Sequence, residues 1–146
     1  MNILFNNVDF GSNSGPNGFA LKLAKQLVDH GHSICNENPE VVLNFIQGYY
    51  KSVPNVLRLD GIYFNTAQDW KSCNKPIQAS YDLAEAVVVQ SNFNKQLVTK
   101  YFGKHQNIEV IHNGTNTQTI NEISPLISDT NKSKRWLAAS SWRPHK

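Results

Sequence analysis

The sequence predicts an open α/β fold, a parallel sheet with helices on both faces. Three observations carry that reading. Short runs rich in β-branched residues, such as VVLNFI at 41–46 and AVVV at 86–89, alternate with stretches whose apolar residues recur at helical spacing. Those runs are nearly continuous in apolar character, as in strands covered on both faces. The last of them succeed one another as strand, helix, strand, which implies right-handed crossovers in a parallel sheet. Ligands of such folds gather beyond the carboxyl ends of the strands.

The elements follow in order. NILF at 2–5 is the first strand, and the turn-rich GSNSGPNG at 11–18 is the loop after it. A helix comes next, with Phe19, Ala20, Leu23, Ala24, Leu27 and Val28 as its apolar stripe and Leu21 beside it. Gly31 stands where a left-handed C-cap is expected. VVLNFI, NVLRLD at 55–60, AVVVQ at 86–90 and IEVIH at 108–112 are the further strands. Between the last two lies SNFNKQLVTKYFG, with Phe93, Leu97, Val98, Tyr101 and Phe102 as its apolar face. Ser91 is placed to cap that helix and Gly103 to end it. From Thr115 to Lys134 the chain turns polar and aperiodic, a short helix or loop followed by a linker, and RWLAASS then has the look of a new strand.

Composition narrows the class. The 146 residues suffice for a domain with a real core, and 40% hydrophobic content is too rich for a disordered chain. The apolar runs are far too short to span a membrane, and the N-terminus MNILFNN has no basic and apolar leader pattern. Cys35 and Cys73 have no CxxC or CxxH companion, so free thiols are expected, with a disulfide between them as the alternative. Net charge is only +3, with Lys132, Lys134, Arg135, Arg143 and Lys146 gathered near the end, a solvated stretch or a phosphate-facing patch. No metal-ligand spacing and no Ser/His/Asp order is present, and no spaced aromatics mark a nucleic-acid surface.

The loops hold the candidate chemistry. Gly11, Gly15 and Gly18 let backbone approach a ligand, and the following helix points its N–H groups at the same place. The loop is neither GxGxxG nor a P-loop, so a plain turn is an equal reading. Arg58, Asp60 and Gly61 close the 55–60 strand. Asp60 is placed to orient a hydroxyl or assist proton transfer, and Arg58 to hold an anion or fix Asp60. The competing reading is a strand-end salt bridge. Gln90 and Ser91 follow the next strand, and His112, Asn113 and Gly114 the one after, where Asn-Gly is also an ordinary turn signal.

RLDG, EAVVVQSNFNKQLVTKYFG, IEVIHNGTN and SSWRPHK, in that order and spacing, resemble family 4 glycosyltransferases of the GT-B fold. The resemblance covers nearly the whole chain. It implies a Rossmann-like acceptor-side domain over 1–115, a linker over 116–134, and over 135–146 the first strand of a truncated C-terminal donor-binding domain. It also implies a retaining glycosyltransferase, moving a sugar from a nucleotide-sugar donor to a glycan or lipid-linked hydroxyl acceptor. By matched position, Gly15, Asn17 and Gly18 would bind substrate near the donor phosphates. Asp60 with Arg58 would be catalytic. Gly61, Gln90, Ser91 and Asn113 would line the substrate site, and Arg143 and Lys146 would hold the donor diphosphate. Many relatives set that last pair further apart. No cofactor or metal and no nucleic acid is implied. The isolated chain is expected to be inactive without a donor domain, supplied on a separate polypeptide or by a longer parent chain. The expected location is cytoplasmic, with peripheral membrane contact left open. A non-catalytic sugar-binding or remnant module is the alternative.

Overall fold

The computed structural model describes residues 1–12 and 14–123. The chain divides into two compact units, Met1–His112 and Asn113–Lys146. In the first unit six strands form one sheet: β1 (Asn2–Asn6), β2 (Ser33–Ile34), β3 (Val41–Phe45), β4 (Asn55–Leu59), β5 (Ala86–Val89) and β6 (Ile108–Val110). Every pairing is parallel, in the order β2-β1-β3-β4-β5-β6. Helices α1 (Gly15–Asp29), α2 (Trp70–Leu83) and α3 (Asn92–Phe102) pack on it. In the second unit α4 (Thr117–Glu122) is described, capped by Asn116.

The helices cover both faces, as the patterning predicts. Register places Phe45 beside Arg58, and Asn44 beside Leu57. The Phe45 face carries α1: Ile3, Phe5, Ala20 and Phe45 form one core cluster, with Phe19, Leu23 and Leu27 against it. The Leu57 face carries α2 and α3: Leu57, Leu59, Val87 and Val89 cluster with Ile77, Tyr81 and Val98. Burial on both faces is not uniform, however. Ala86 and Val88 are only half-buried and Glu109 is exposed, because α1 spans β1 and β3 and leaves the β5–β6 side of its face thinly covered.

Local signals decide the helix ends. Ser14 caps α1, with Pro16 in its first turn. Gly31 sits at φ 82°, and the N–H groups of Gly31 and His32 bond the carbonyls of Val28 and Leu27 at 3.0 and 2.9 Å, a Schellman closure. Ser91 Oγ accepts from Asn94 N at 3.1 Å, and Gly103 at φ 95° ends α3. Two stripes are narrower than predicted. Leu21, Val28 and Phe93 are exposed, and Asn94 takes the buried place beside Val98.

Two connections, 35–40 and 46–54, join parallel strands without a helix. The second lies on the α2 face, and buried asparagines replace the missing helix. Asn6 Nδ2 donates to Asn44 Oδ1 at 2.7 Å, and Asn44 Nδ2 to Asn55 Oδ1 at 2.9 Å. Asn55 Nδ2 then bonds the carbonyls of Tyr50 and Val53, and its Oδ1 accepts from Tyr50 N. Gly48 lies against this ladder: a Cβ there would come within 2.6 Å of Asn6 Nδ2 and 2.7 Å of Asn44 Oδ1. The amides satisfy loop backbone that would otherwise be buried unpaired.

Candidate functional site

The sheet reverses its winding at β1, whose neighbours are β2 and β3. The crevice at the carboxyl ends of β1 and β3 is therefore the switch point where ligands of open α/β sheets bind. The backbone is strained there. Asn7 has φ 60° and donates Nδ2 to the Phe45 carbonyl at 2.7 Å. Ile46 has φ 69°, and Gln47 N bonds Phe45 O at 2.7 Å across it, a tight three-residue turn. A β-branched residue in that region costs about 1–3 kcal/mol.

One strand over, β4 ends in the predicted charged pair. Arg58 is 4% exposed, facing α1. Its guanidinium lies 3.8 Å from the Phe19 ring centroid and 5.6 Å from that of Phe45. Phe19 follows Gly18, so the stack joins the first turn of α1 to the end of β4. Arg58 Nη1 donates to Asp60 Oδ1, and Gln90 Nε2, from the end of β5, donates to the same oxygen. The Asp60 side chain keeps 27% of its surface exposed. Asn94 Nδ2, from α3, holds the Asp60 carbonyl at 3.0 Å. Gln90 is fixed in turn: its carbonyl accepts from His112 Nδ1 at 2.9 Å.

The electrostatics follow from that geometry. Burial pushes the Asp60 carboxyl above its ordinary range, and the Arg58 charge and the Gln90 and Arg58 hydrogen bonds only partly pull it back. Burial pulls Arg58 below its usual value, with Asp60 opposing. The result is a fixed carboxylate, partly open to solvent, with raised basicity. It can accept a hydrogen bond from a hydroxyl and take up a proton.

Arg58, Asp60 and Gln90 thus come together, with Gly61 next to them in the chain. Ser91 is bound up in capping α3. Gly15 and Gly18 lie in the first turn of α1, where a Cβ at either would meet nothing within 4 Å. Asn17 Oδ1 accepts from Asp9 N at 3.2 Å and closes the preceding loop. Asn113 opens the second unit and is exposed. Arg143 and Lys146 lie outside the described residues. Among the described residues no group of three His, Cys, Asp or Glu side chains is placed to hold a metal ion, and no helix is long and apolar enough to cross a membrane. Cys35 and Cys73 are both free.

Sequence reading missed Phe19 and Asn94 as parts of this site, and also Asn74, whose amide bonds the Tyr63 backbone three residues beyond Asp60. The signal for the two asparagines was there: each is in helical phase with buried apolar residues, Asn94 with Val98, and Asn74 with Ile77 and Tyr81. No protein-family model, curated protein or solved structure matches the chain.

Proposed function

We propose that this chain is the acceptor-side part of a retaining glycosyltransferase. The observation that carries the reading is the Asp60 carboxylate, held by Arg58 and Gln90 and still partly exposed, at the carboxyl edge of a parallel sheet. The motif resemblance, which names the same Asp60 and Arg58, supports it from the sequence side.

In this reading a nucleotide-sugar donor faces the first turn of α1. Gly15 and Gly18 cost the helix stability, and among the described residues a Cβ at either would meet nothing within 4 Å, an open face that fits close approach by the donor. The helix N-terminus favours negative charge as the diphosphate leaves; by the motif resemblance alone, Arg143 and Lys146 would also bind it. An acceptor hydroxyl on a glycan or lipid-linked sugar sits at Asp60. Its oxygen forms the bond to the anomeric carbon while the bond from that carbon to the diphosphate oxygen breaks. The diphosphate keeps the electron pair, and the hydroxyl proton passes to Asp60 or to the departing diphosphate. Arg58 and Gln90 keep the carboxyl in place. Reaction requires a donor-binding domain beyond the described residues.

The test supplies that domain, fused or as a second polypeptide, and measures transfer from radiolabelled UDP- and GDP-sugars. Asp60→Asn is expected to lower kcat by about 10²-fold or more, in the range of general-base catalysis. A folded assembly that transfers no sugar, or an Asp60→Asn variant as active as the parent, overturns the reading.

A further inference from the structure

The loop that carries Asp60 also carries an exposed aromatic pair, and the fold holds one of them with unusual care. Tyr63 is 44% exposed and Phe64 51%. Asn74, on α2, is only 3% exposed. Its Oδ1 accepts from Tyr63 N at 2.9 Å and its Nδ2 donates to Tyr63 O at 2.7 Å, so one buried amide clamps both polar groups of that peptide position. Three positions earlier, Asn94 fixes the Asp60 carbonyl from α3. Between them Ile62 is buried in the core. Residues 60–63 are therefore anchored by two helices and a core side chain. Asparagine is a poor residue for a helix interior. Outside the core, this clamp orders the backbone that carries an exposed aromatic residue.

We infer that the Tyr63 ring is a stacking platform for a pyranose ring of the acceptor, and that Asn74 is its positioning residue. The inference rests on the glycosyl-transfer reading and extends it to a specific contact. The chemistry of the pair points to a sugar. A pyranose offers an apolar face of C–H groups and a rim of hydroxyls. The loop offers an aromatic ring at one end and, at Asp60 with Gln90, a carboxylate and an amide at the other. A backbone fixed before binding leaves only the tyrosine's two side-chain torsions to be ordered on contact, a low entropy cost that makes exposed tyrosine effective in recognition.

The experiment is a titration of the ¹⁵N-labelled 146-residue chain with methyl glucoside, methyl mannoside and methyl N-acetylglucosaminide, followed by amide shifts and by saturation transfer from aromatic protons. At least one glycoside is expected to shift the amides of Gly61, Tyr63 and Phe64 and to receive saturation on its ring C–H protons. Tyr63→Ala should weaken that binding by about five- to tenfold, the worth of one aromatic contact. Tyr63→Phe should retain it. Asn74→Ala should weaken it with the ring still present, and should weaken it no further when added to Tyr63→Ala, a double-mutant readout that mere stability would not give. Tyr63→Ala binding like the parent overturns the platform. So does the absence of any shift, or binding to phosphatidylglycerol vesicles that Tyr63→Ala abolishes, which would give the ring to a membrane surface. Because sugar transfer and its loss in Asp60→Asn are measured without reference to Tyr63, the platform can fail while the transferase reading stands.

Discussion

Arg58 buries a full charge inside a β-strand, and Phe19, Phe45 and Asp60 compensate that cost. The rings give the guanidinium two π-faces, and the carboxylate gives it a counter-charge. Asp60 bears the consequence. Its folded pKa lies above 3.8, so the folded state holds its proton over a pH range where the unfolded chain has lost it. The carboxyl thus favours folding below 3.8, and that contribution fades as pH rises through the folded midpoint. Carbon-detected NMR of the Asp60 carboxyl should show a midpoint above 3.8, and Arg58→Met should move it further up, since the Arg58 charge is the largest influence holding it down. A midpoint below 3.8 in the parent, or one that Arg58→Met lowers, would contradict the account. At this scale the sequence was informative at the strand ends. Arg58, Asp60 and Gln90 could be read directly, because a polar residue closing an apolar strand is conspicuous. Phe19 and Asn94 reach the site, and Asn74 the loop beyond it, through space from other elements. Only their helical phase hinted at it.

Elements with strong local signals were legible and those without were not. α1 and α3 announce themselves by Ser91, Gly31 and Gly103, residues that satisfy helix ends within a few positions, whereas the Ser14 cap was not read. α2 contains Pro76 and few strong helix formers, and its fold depends on what it covers. β2 is two residues long, too short to leave a pattern. The helix-free connection 46–54 was invisible, because its support comes from Asn44 and Asn55 inside strands. That support is open to measurement. Asn55→Ala removes the amide that bonds Asn44, Tyr50 and Val53, leaving buried groups unpaired at about 1–3 kcal/mol each. Urea unfolding should show a loss of about 3 kcal/mol or more, and the Tyr50 amide should exchange much faster. Gly48→Ala should cost about 1–3 kcal/mol by overpacking against Asn6 and Asn44. Ser91→Ala should cost about 1 kcal/mol, the ordinary worth of an N-cap. An Asn55→Ala chain as stable as the parent would mean that the ladder merely fills space.

On the scale of the molecule, the described buried residues all belong to the first unit, and the apolar ones other than Val42 form two clusters on opposite faces of one sheet. The winding order places the switch-point crevice on one edge of that sheet, with Asp60 one strand away and α1 leaning over both. The fold class was therefore legible from strand and helix periodicity alone, whereas the strand order, which decides where the crevice falls, was not. It depends on which crossovers have helices and which do not. The arrangement predicts that Met1–His112 is the folding unit. A chain stopped after His112 keeps every described strand, both described clusters and the hydrogen bond from His112 to Gln90. α4 contributes no buried residue. Such a chain should unfold in urea in one cooperative transition, with a stability within about 1 kcal/mol of the parent and a scarcely changed slope, since that slope follows the surface exposed on unfolding. It should also retain the glycoside-induced shifts at Tyr63, because Tyr63, Asn74 and Asp60 all lie within it. On the proposed transferase reading, sugar transfer by the assembly should be lost, because that reading gives the diphosphate to Arg143 and Lys146. A shortened chain that fails to fold would place part of the core beyond His112, and one that still transfers sugar would remove Arg143 and Lys146 from the diphosphate.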